Sequence, residues 1–263
     1  MISIDLWGGL GNQLFQIAST YGHALRHNLN CGFDITQTYL PLQGRKAIEY
    51  AKNLYFSLPK IKHGDYNLEV WKAKRWEYDP IPPKDNVLLN GYFQSPKPFD
   101  EYREKILELF LNDDTRWGIL NRLADRYSVE LRDSVSVHMR RGDYAKFPDI
   151  HPIIEEKYYM EAVSTLRKEK NINCILVFSD DIAWCKQNFR SPEVRYMDGL
   201  HDYEAILLMS LCDHNVIANS SFSWWGAYFN EKKDKIVYAP KRWCGPNAGH
   251  GWDDIYLPNM RVI

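Results

Sequence analysis

Four short segments carry residue types that could grip an anionic ligand. In Val137-His138-Met139-Arg140-Arg141-Gly142-Asp143-Tyr144, two adjacent arginines leave what reads as a buried strand. A guanidinium holds a phosphate through two parallel hydrogen bonds, so one arginine can face a ligand while the other is tied back, with Asp143 as anchor. The plainer reading is a structural Arg–Asp pair with His138 in the core. Gly8-Gly9-Leu10-Gly11-Asn12-Gln13 sets glycines between a strand and a helix. There the backbone can approach a phosphate or sugar, and a helix N-terminus supplies N–H donors; a plain tight turn explains the same residues. The segment partly imitates a dinucleotide fingerprint, with Asp34 about where a ribose-binding acid would stand, but Leu14 replaces the third glycine.

In Phe178-Ser179-Asp180-Asp181 a carboxylate can accept from guanine N–H groups or a ribose hydroxyl, while Ser179 or Asp180 could equally cap the following helix. Asn219-Ser220-Ser221-Phe222-Ser223-Trp224-Trp225-Gly226 offers hydroxyls and N–H groups for a diphosphate, or simply an N-cap serine before two core tryptophans. Three such segments at the ends of successive strands converge on one anionic ligand. The sequence contains no Asp-x-Asp, HExxH, CxxC or GxxxxGK[ST]. Arginine and helix N–H groups, rather than a metal, would then have to stabilise a departing diphosphate.

These segments need a scaffold that brings them together. Residues 2–7 read as a strand, 12–27 as a helix, 31–35 and 86–90 as strands and 99–111 as a helix. From Thr36 to Pro98 the pattern is irregular, and part of it is expected to form a flexible acceptor-facing surface. The second half is regular. Strands are expected at 133–138, 173–178, 193–196, 214–218 and 235–239, with helices at 155–170, 181–189, 202–212 and 222–231. That alternation implies right-handed βαβ units and a parallel sheet covered on both faces, with ligands at the carboxyl ends of the strands. The expected architecture is α/β: an N-terminal lobe over residues 1–130 and a second lobe over 131–263, facing a central cleft.

Composition excludes several classes. With 33 basic and 34 acidic residues among 263, the chain is no general nucleic-acid binder. Nine Trp and seventeen Tyr suit sugar faces, but suit cores equally well. Cys31, Cys174, Cys185, Cys212 and Cys244 are scattered and odd in number, which reads as reduced thiols in a cytoplasmic chain. No signal peptide and no apolar run of spanning length is visible, so the chain reads as soluble and unprocessed.

Together GGLGNQLFQIA, SVHMRRGDY, FSDD and NSSFSWWGA, in this order over residues 8–230, resemble the bacterial α-1,2-fucosyltransferases of glycosyltransferase family 11. The resemblance implies a GT-B-like fold of two Rossmann-like lobes, GDP-β-L-fucose as donor, inversion at the anomeric carbon and no metal or other cofactor. It implies a galactose-containing glycan acceptor, such as an O-antigen or capsule repeat; a lipid-linked acceptor would bring the chain to the inner membrane surface. By position, Arg140 would stabilise the departing GDP, with Arg141 and Asp143 beside it and His138 near the guanine end. Gly9 and Gly11 would approach the pyrophosphate, and Asn12 and Gln13 would point toward fucose or acceptor. Ser221 and Phe222 would offer N–H groups to phosphate, within a segment that includes Asn219, Ser220 and Ser223. Asp180 or Asp202 would read guanine. Asp143 and Glu204 are candidate bases for the acceptor proton, beside a weakly assisted route. Two rivals remain: an NAD-dependent oxidoreductase built on the glycine turn and Asp34, and a non-catalytic nucleotide-sugar-binding protein.

Overall fold

The computed structural model describes residues 1–39, 44–74, 78–111, 114–248 and 252–263. The chain divides into two compact units, 1–118 with 251–257, and 119–250 with 258–263. In the first, strand β1 (Ile2–Ile4) leads through a glycine turn into helix α1 (Leu10–His27). Leu14, Phe15, Ile17 and Ala18 are completely buried on α1, and its last turn carries Arg26 and His27, favourable at the negative end of the helix dipole. Asn28 ends it in the left-handed conformation, its N–H reaching back to Ala24 and Leu25. The helix starts two residues before the expected Asn12, which puts Gly11 in its first turn rather than in the loop.

Strands β2 (Glu69–Lys72) and β3 (Val87–Asn90) complete a parallel sheet of order β1-β3-β2. The expected strand at 31–35 is absent. Cys31 and Phe33 make only isolated bridges, to Ile2 and Lys60. Of the irregular stretch from Thr36 to Pro98, residues 40–43 and 75–77 lie outside the described residues; the rest holds β2, β3 and short 3-10 turns at Ala47–Tyr50 and His63–Asp65. Helix α2 (Arg103–Leu111) follows a 3-10 turn, and helix α3 (Asp114–Arg126) contains the division between the units, twelve residues before the expected 130. Ile119, Leu120 and Leu123 are buried, so the carboxyl-terminal half of α3 belongs with the second unit.

The second unit runs β4 (Ser134–Met139), α4 (Glu156–Glu169), β5 (Cys174–Ser179), α5 (Ile182–Asn188), β6 (Val194–Tyr196), α6 (Asp202–Leu211), β7 (His214–Val216), α7 (Ser221–Phe229), β8 (Val237–Ala239) and β9 (Met260–Val262). All six strands are parallel, in the order β6-β5-β4-β7-β8-β9. This is the doubly wound order of dinucleotide-binding folds. β4 is buried at every position, as expected of a central parallel strand covered on both faces. Val135, Val137, Ile175 and Val177 form the core with Tyr159, Ala162, Val163 and Leu166 of α4. The five cysteines are free thiols. No helix among the described residues is long and apolar enough to cross a membrane.

Candidate functional site

Strand order in the second unit reverses between β4 and β7. Connections leave those two strands in opposite directions, which opens a crevice at their carboxyl ends, where open α/β sheets bind ligands. The His138–Tyr144 segment leaves β4 there, and Ile217–Ser223 leaves β7. The register pairs Met139 with Ser179 of β5, so the next residues, Arg140 and Asp180, emerge side by side.

Arg140 sits between two carboxylates. Its Nη2 is 2.8 Å from Asp143 Oδ1 and its Nη1 3.2 Å from Asp180 Oδ2, and its guanidinium lies 5.3 Å from the Tyr144 ring centre. Both contacts are ion pairs and neither is aligned as a hydrogen bond, and Arg140 Nε is enclosed without a partner. Asp180 is fixed further, because its Oδ1 accepts the main-chain N–H of Arg141 at 2.9 Å. Gly142 makes this possible. A Cβ there would stand 2.6 Å from Asp180 Oδ2.

Asp143 therefore anchors Arg140, the arginine expected to face the ligand, not its neighbour. Arg141 is held instead by Trp184, whose ring centre is 3.6 Å from the guanidinium, and by Asp181 at 3.7 Å. Asp180 was one of two candidates for reading guanine; both its oxygens are occupied by Arg140 and the Arg141 backbone. The capping role falls to the next residue: Asp181 accepts from Trp184 N at 3.1 Å, while Ser179 Oγ donates to Met139 O and accepts from Asp181 N. Two guanidinium groups thus face three carboxylates, and Arg140, with one carboxylate oxygen at each Nη, keeps further N–H groups for a ligand.

His138 is buried, 5.4 Å from the Phe222 ring. Burial, then the charge of Arg140, pushes its pKa down to about 3, so the ring is neutral at ordinary pH. Its Nδ1 is enclosed without a partner, so this is not a satisfied core histidine. Tyr144 spans the crevice, its hydroxyl donating to Asn219 O at 3.0 Å and its ring stacked on His151 at 4.7 Å. Burial raises the Tyr144 pKa and keeps the hydroxyl a donor.

Asn219 is a structural clamp, its Nδ2 donating to Pro152 O and Trp243 O, both at 2.9 Å. Ser220 caps α7, its Oγ accepting from Phe222 N at 3.4 Å; Ser221 is the first helical residue, and Ser223 Oγ turns inward to Ser220 O. Trp224 and Trp225 are completely buried, as core residues. Asp202 lies in the first turn of α6 after the edge strand β6, two strands from β4, and its Oδ1 accepts from Tyr203 N. Glu204, a candidate base, is committed to the cap of α6, accepting from His201 N at 3.1 Å, and lies 3.5 Å from Arg122.

The glycine turn belongs to the first unit. Gly8 adopts φ +73°, and Gly9 caps α1. Gly44 packs so closely on this turn that a Cβ there would stand 2.8 Å from Gly9 Cα, whereas a Cβ on Gly9 itself would meet nothing within 4 Å. One side of Gly9 is thus covered and the other open. Gln13, expected to point toward a ligand, is completely buried. Its Nε2 donates to Gly8 O and Arg45 O, and its Oε1 accepts from the Tyr55 hydroxyl. Asn12 Oδ1 accepts from Gln94 Nε2 at 2.8 Å. Asp34 is spent locally, accepting from Thr36 N, Thr36 Oγ1 and His63 N, which removes the acid that a dinucleotide ribose would need.

Sequence reasoning passed over His151 and Trp184, and named Gly142, Tyr144 and Asp181 within its segments without giving them a role. Only the Arg141-Gly142-Asp143 turn carried a local signal, a glycine between charges. A groove of about 420 Å³ between α4 and α5 is lined by Met160, Val163, Ile175 and Phe189; Ile175 is at the opposite end of β5 from Asp180, so the groove is separate from these residues.

A family model described as Glycosyl transferase family 11 matches residues 1–262. An Escherichia coli protein named Alpha-1,2-colitosyltransferase is 31% identical over 269 residues, covering 90% of this chain and 90% of its own. Another from Escherichia coli, O-antigen biosynthesis glycosyltransferase WbnK, is 35% identical, covering 92% and 94%. The rabbit (Oryctolagus cuniculus) protein Galactoside alpha-(1,2)-fucosyltransferase 2 is 28% identical, covering 87% of this chain and 66% of its own. Among solved structures, NodZ alpha-1,6-fucosyltransferase co-crystallized with GDP matches with TM-score 0.54 and 13% identity, covering 86% and 91%; that likeness shows a shared, GT-B-like fold.

Proposed function

The chain belongs to glycosyl transferase family 11, and on that premise we propose that it transfers L-fucose from GDP-β-L-fucose to the 2-hydroxyl of a galactose in an oligosaccharide, with inversion and without a divalent metal. The observation that carries this reading is Arg140, held between Asp143 and Asp180 at the switch point of the second sheet. As the bond from fucose C1 to the diphosphate breaks, negative charge grows on the β-phosphate, and a fixed guanidinium stabilises it without reorganising. The acceptor oxygen bonds to C1 from the opposite face and loses its proton to solvent by the weakly assisted route, giving GDP, the fucosylated galactoside and a proton. Asp180, pinned by Arg141 N–H, and Asp143 hold Arg140 from two sides as ion pairs, and its remaining N–H groups serve the incoming phosphate. The positive end of the α7 dipole opens at the same strand ends, although Ser220 N and Phe222 N are themselves engaged, with Ala218 O and Ser220 Oγ. Asp143, Asp180 and Asp181, the carboxylates at these strand ends, are engaged with arginines, which supports a metal-free route.

The name of the colitosyl relative favours a second donor, so the sugar is the point to test. Transfer from GDP-fucose to lactose and other β-galactosides is measured with EDTA present, in competition with a colitosyl donor, and linkage is read by NMR. An α-1,2-fucosylated product is expected. Exclusive use of the colitosyl donor, or dependence on added Mg²⁺ or Mn²⁺, would overturn the corresponding part.

A further inference from the structure

At the carboxyl end of β1 the chain presents an aromatic pair that no step above uses. Trp7 and Tyr39 stack with ring centres 4.6 Å apart and planes 21° from parallel. Backbone bonds fix both residues. Tyr39 N donates to Leu6 O at 2.9 Å, Gly8 N donates to Tyr39 O at 2.8 Å, and Trp7 N donates to Gln16 Oε1 at 2.9 Å. Trp7 is partly buried and its indole Nε1 is enclosed without an acceptor, so the ring is held by packing rather than through its N–H. Tyr39, by contrast, stays 45% exposed although one face lies on Trp7.

An aromatic ring left open on a rigid stack is a prepared surface, since little freedom remains to be lost when something covers it. The pair occupies the strand end where α/β sheets take ligands, and the next residues are Gly8 and Gly9, the second with open space where a side chain would stand. A flat ring with a polar rim complements a pyranose, whose axial C–H groups form an apolar face and whose hydroxyls point outward.

We propose that Tyr39, backed by Trp7, is the platform on which the acceptor sugar stacks, and that it selects acceptors whose terminal ring has an open C–H face. The proposal rests on the transferase reading above. Tyr39 is a binding and positioning residue here; it does not touch the bond being broken.

The test compares wild type with Tyr39→Ala and Tyr39→Phe. Loss of one aromatic stack should raise the acceptor KM of Tyr39→Ala roughly tenfold. Tyr39→Phe should keep the wild-type acceptor KM, because the ring and not the hydroxyl makes the contact. GDP affinity, measured by calorimetry, should stay the same in all three. A wild-type acceptor KM in Tyr39→Ala overturns the proposal, as does a parallel loss of GDP affinity, which would mark a fold defect. Saturation-transfer NMR with methyl β-galactoside separates the platform from the transfer reaction. If the wild type moves no fucose yet binds the galactoside, and only Tyr39→Ala loses it, the platform stands and the fucosyl reading falls. If the wild type gives no galactoside signal, the platform falls.

Discussion

Gly142→Ala should cripple turnover while leaving a folded protein. The new Cβ would stand 2.6 Å from Asp180 Oδ2, and reaching the 3.4 Å of ordinary contact requires the carboxylate to recede by about 0.8 Å. Its neighbours leave little choice of direction, because Asp180 Oδ1 is bonded to Arg141 N at 2.9 Å and Oδ2 lies 3.2 Å from Arg140 Nη1. A shift of that size can stretch the Arg140 ion pair from 3.2 Å to about 4 Å and frees the guanidinium to swing toward Asp143. Misplacing a catalytic group by about 1 Å typically costs on the order of a hundredfold in rate, and kcat is expected to fall by about that factor. Overpacking at one site costs about 1–3 kcal/mol, so urea unfolding should remain cooperative with a lower midpoint. Initial rates of fucose release onto a β-galactoside at saturating donor give the first quantity. Asp180→Asn, which keeps the shape and removes the charge, shows whether the loss comes from position alone. Wild-type turnover in a folded Gly142→Ala would refute the argument that Asp180 positions Arg140.

Three other outcomes follow from the same geometry. Arg140→Ala removes the donor proposed to stabilise the leaving phosphate and should lower kcat roughly a hundred- to thousand-fold; near-wild-type turnover would remove Arg140 from the catalytic role. Asp181→Ala should cost about 1 kcal/mol of stability through the lost cap of α5 and leave turnover largely intact, since Arg141 remains stacked on Trp184; urea titrations and rates on one preparation decide it. His138 is held at about 3, below its ordinary 6.5, so between those values the unfolded chain binds a proton that the folded chain refuses. The stability that neutral His138 contributes is complete above pH 6.5 and is lost as the pH falls, by about 2 kcal/mol between pH 7 and 5. His23, lowered to about 4 by burial and then by His27, adds to the same slope. Urea unfolding at both pH values should show a shallower dependence in His138→Gln, and an unchanged slope would contradict the buried, neutral ring.

The second unit was legible because its strands are covered on both faces. Ser134–Met139 and Cys174–Ser179 are nearly continuous buried runs that end in charge, so both the strands and the ligand-side ends could be read locally. β2 was not, because Glu69–Lys72 is a short, largely exposed edge strand, and neither was β9, three residues at the chain end. Within the site, residue type placed Arg140 and the start of α7 but could not apportion work between neighbours. Asp180 and Asp181 are adjacent acids with the same options. Only the register of β5 against β4, which sets Ser179 beside Met139, aims one at Arg140 and leaves the other to cap α5. Gln13 and Asp34 failed for a related reason. A buried amide or carboxylate needs partners whether or not a ligand supplies them, and here they come from Tyr55, Arg45 and His63, 29 to 42 residues away. Polar residues beside a glycine turn therefore indicate that a site must be satisfied. Whether protein or ligand satisfies it is decided by the fold, and at this turn the protein has taken Gln13 and left the Trp7–Tyr39 stack open.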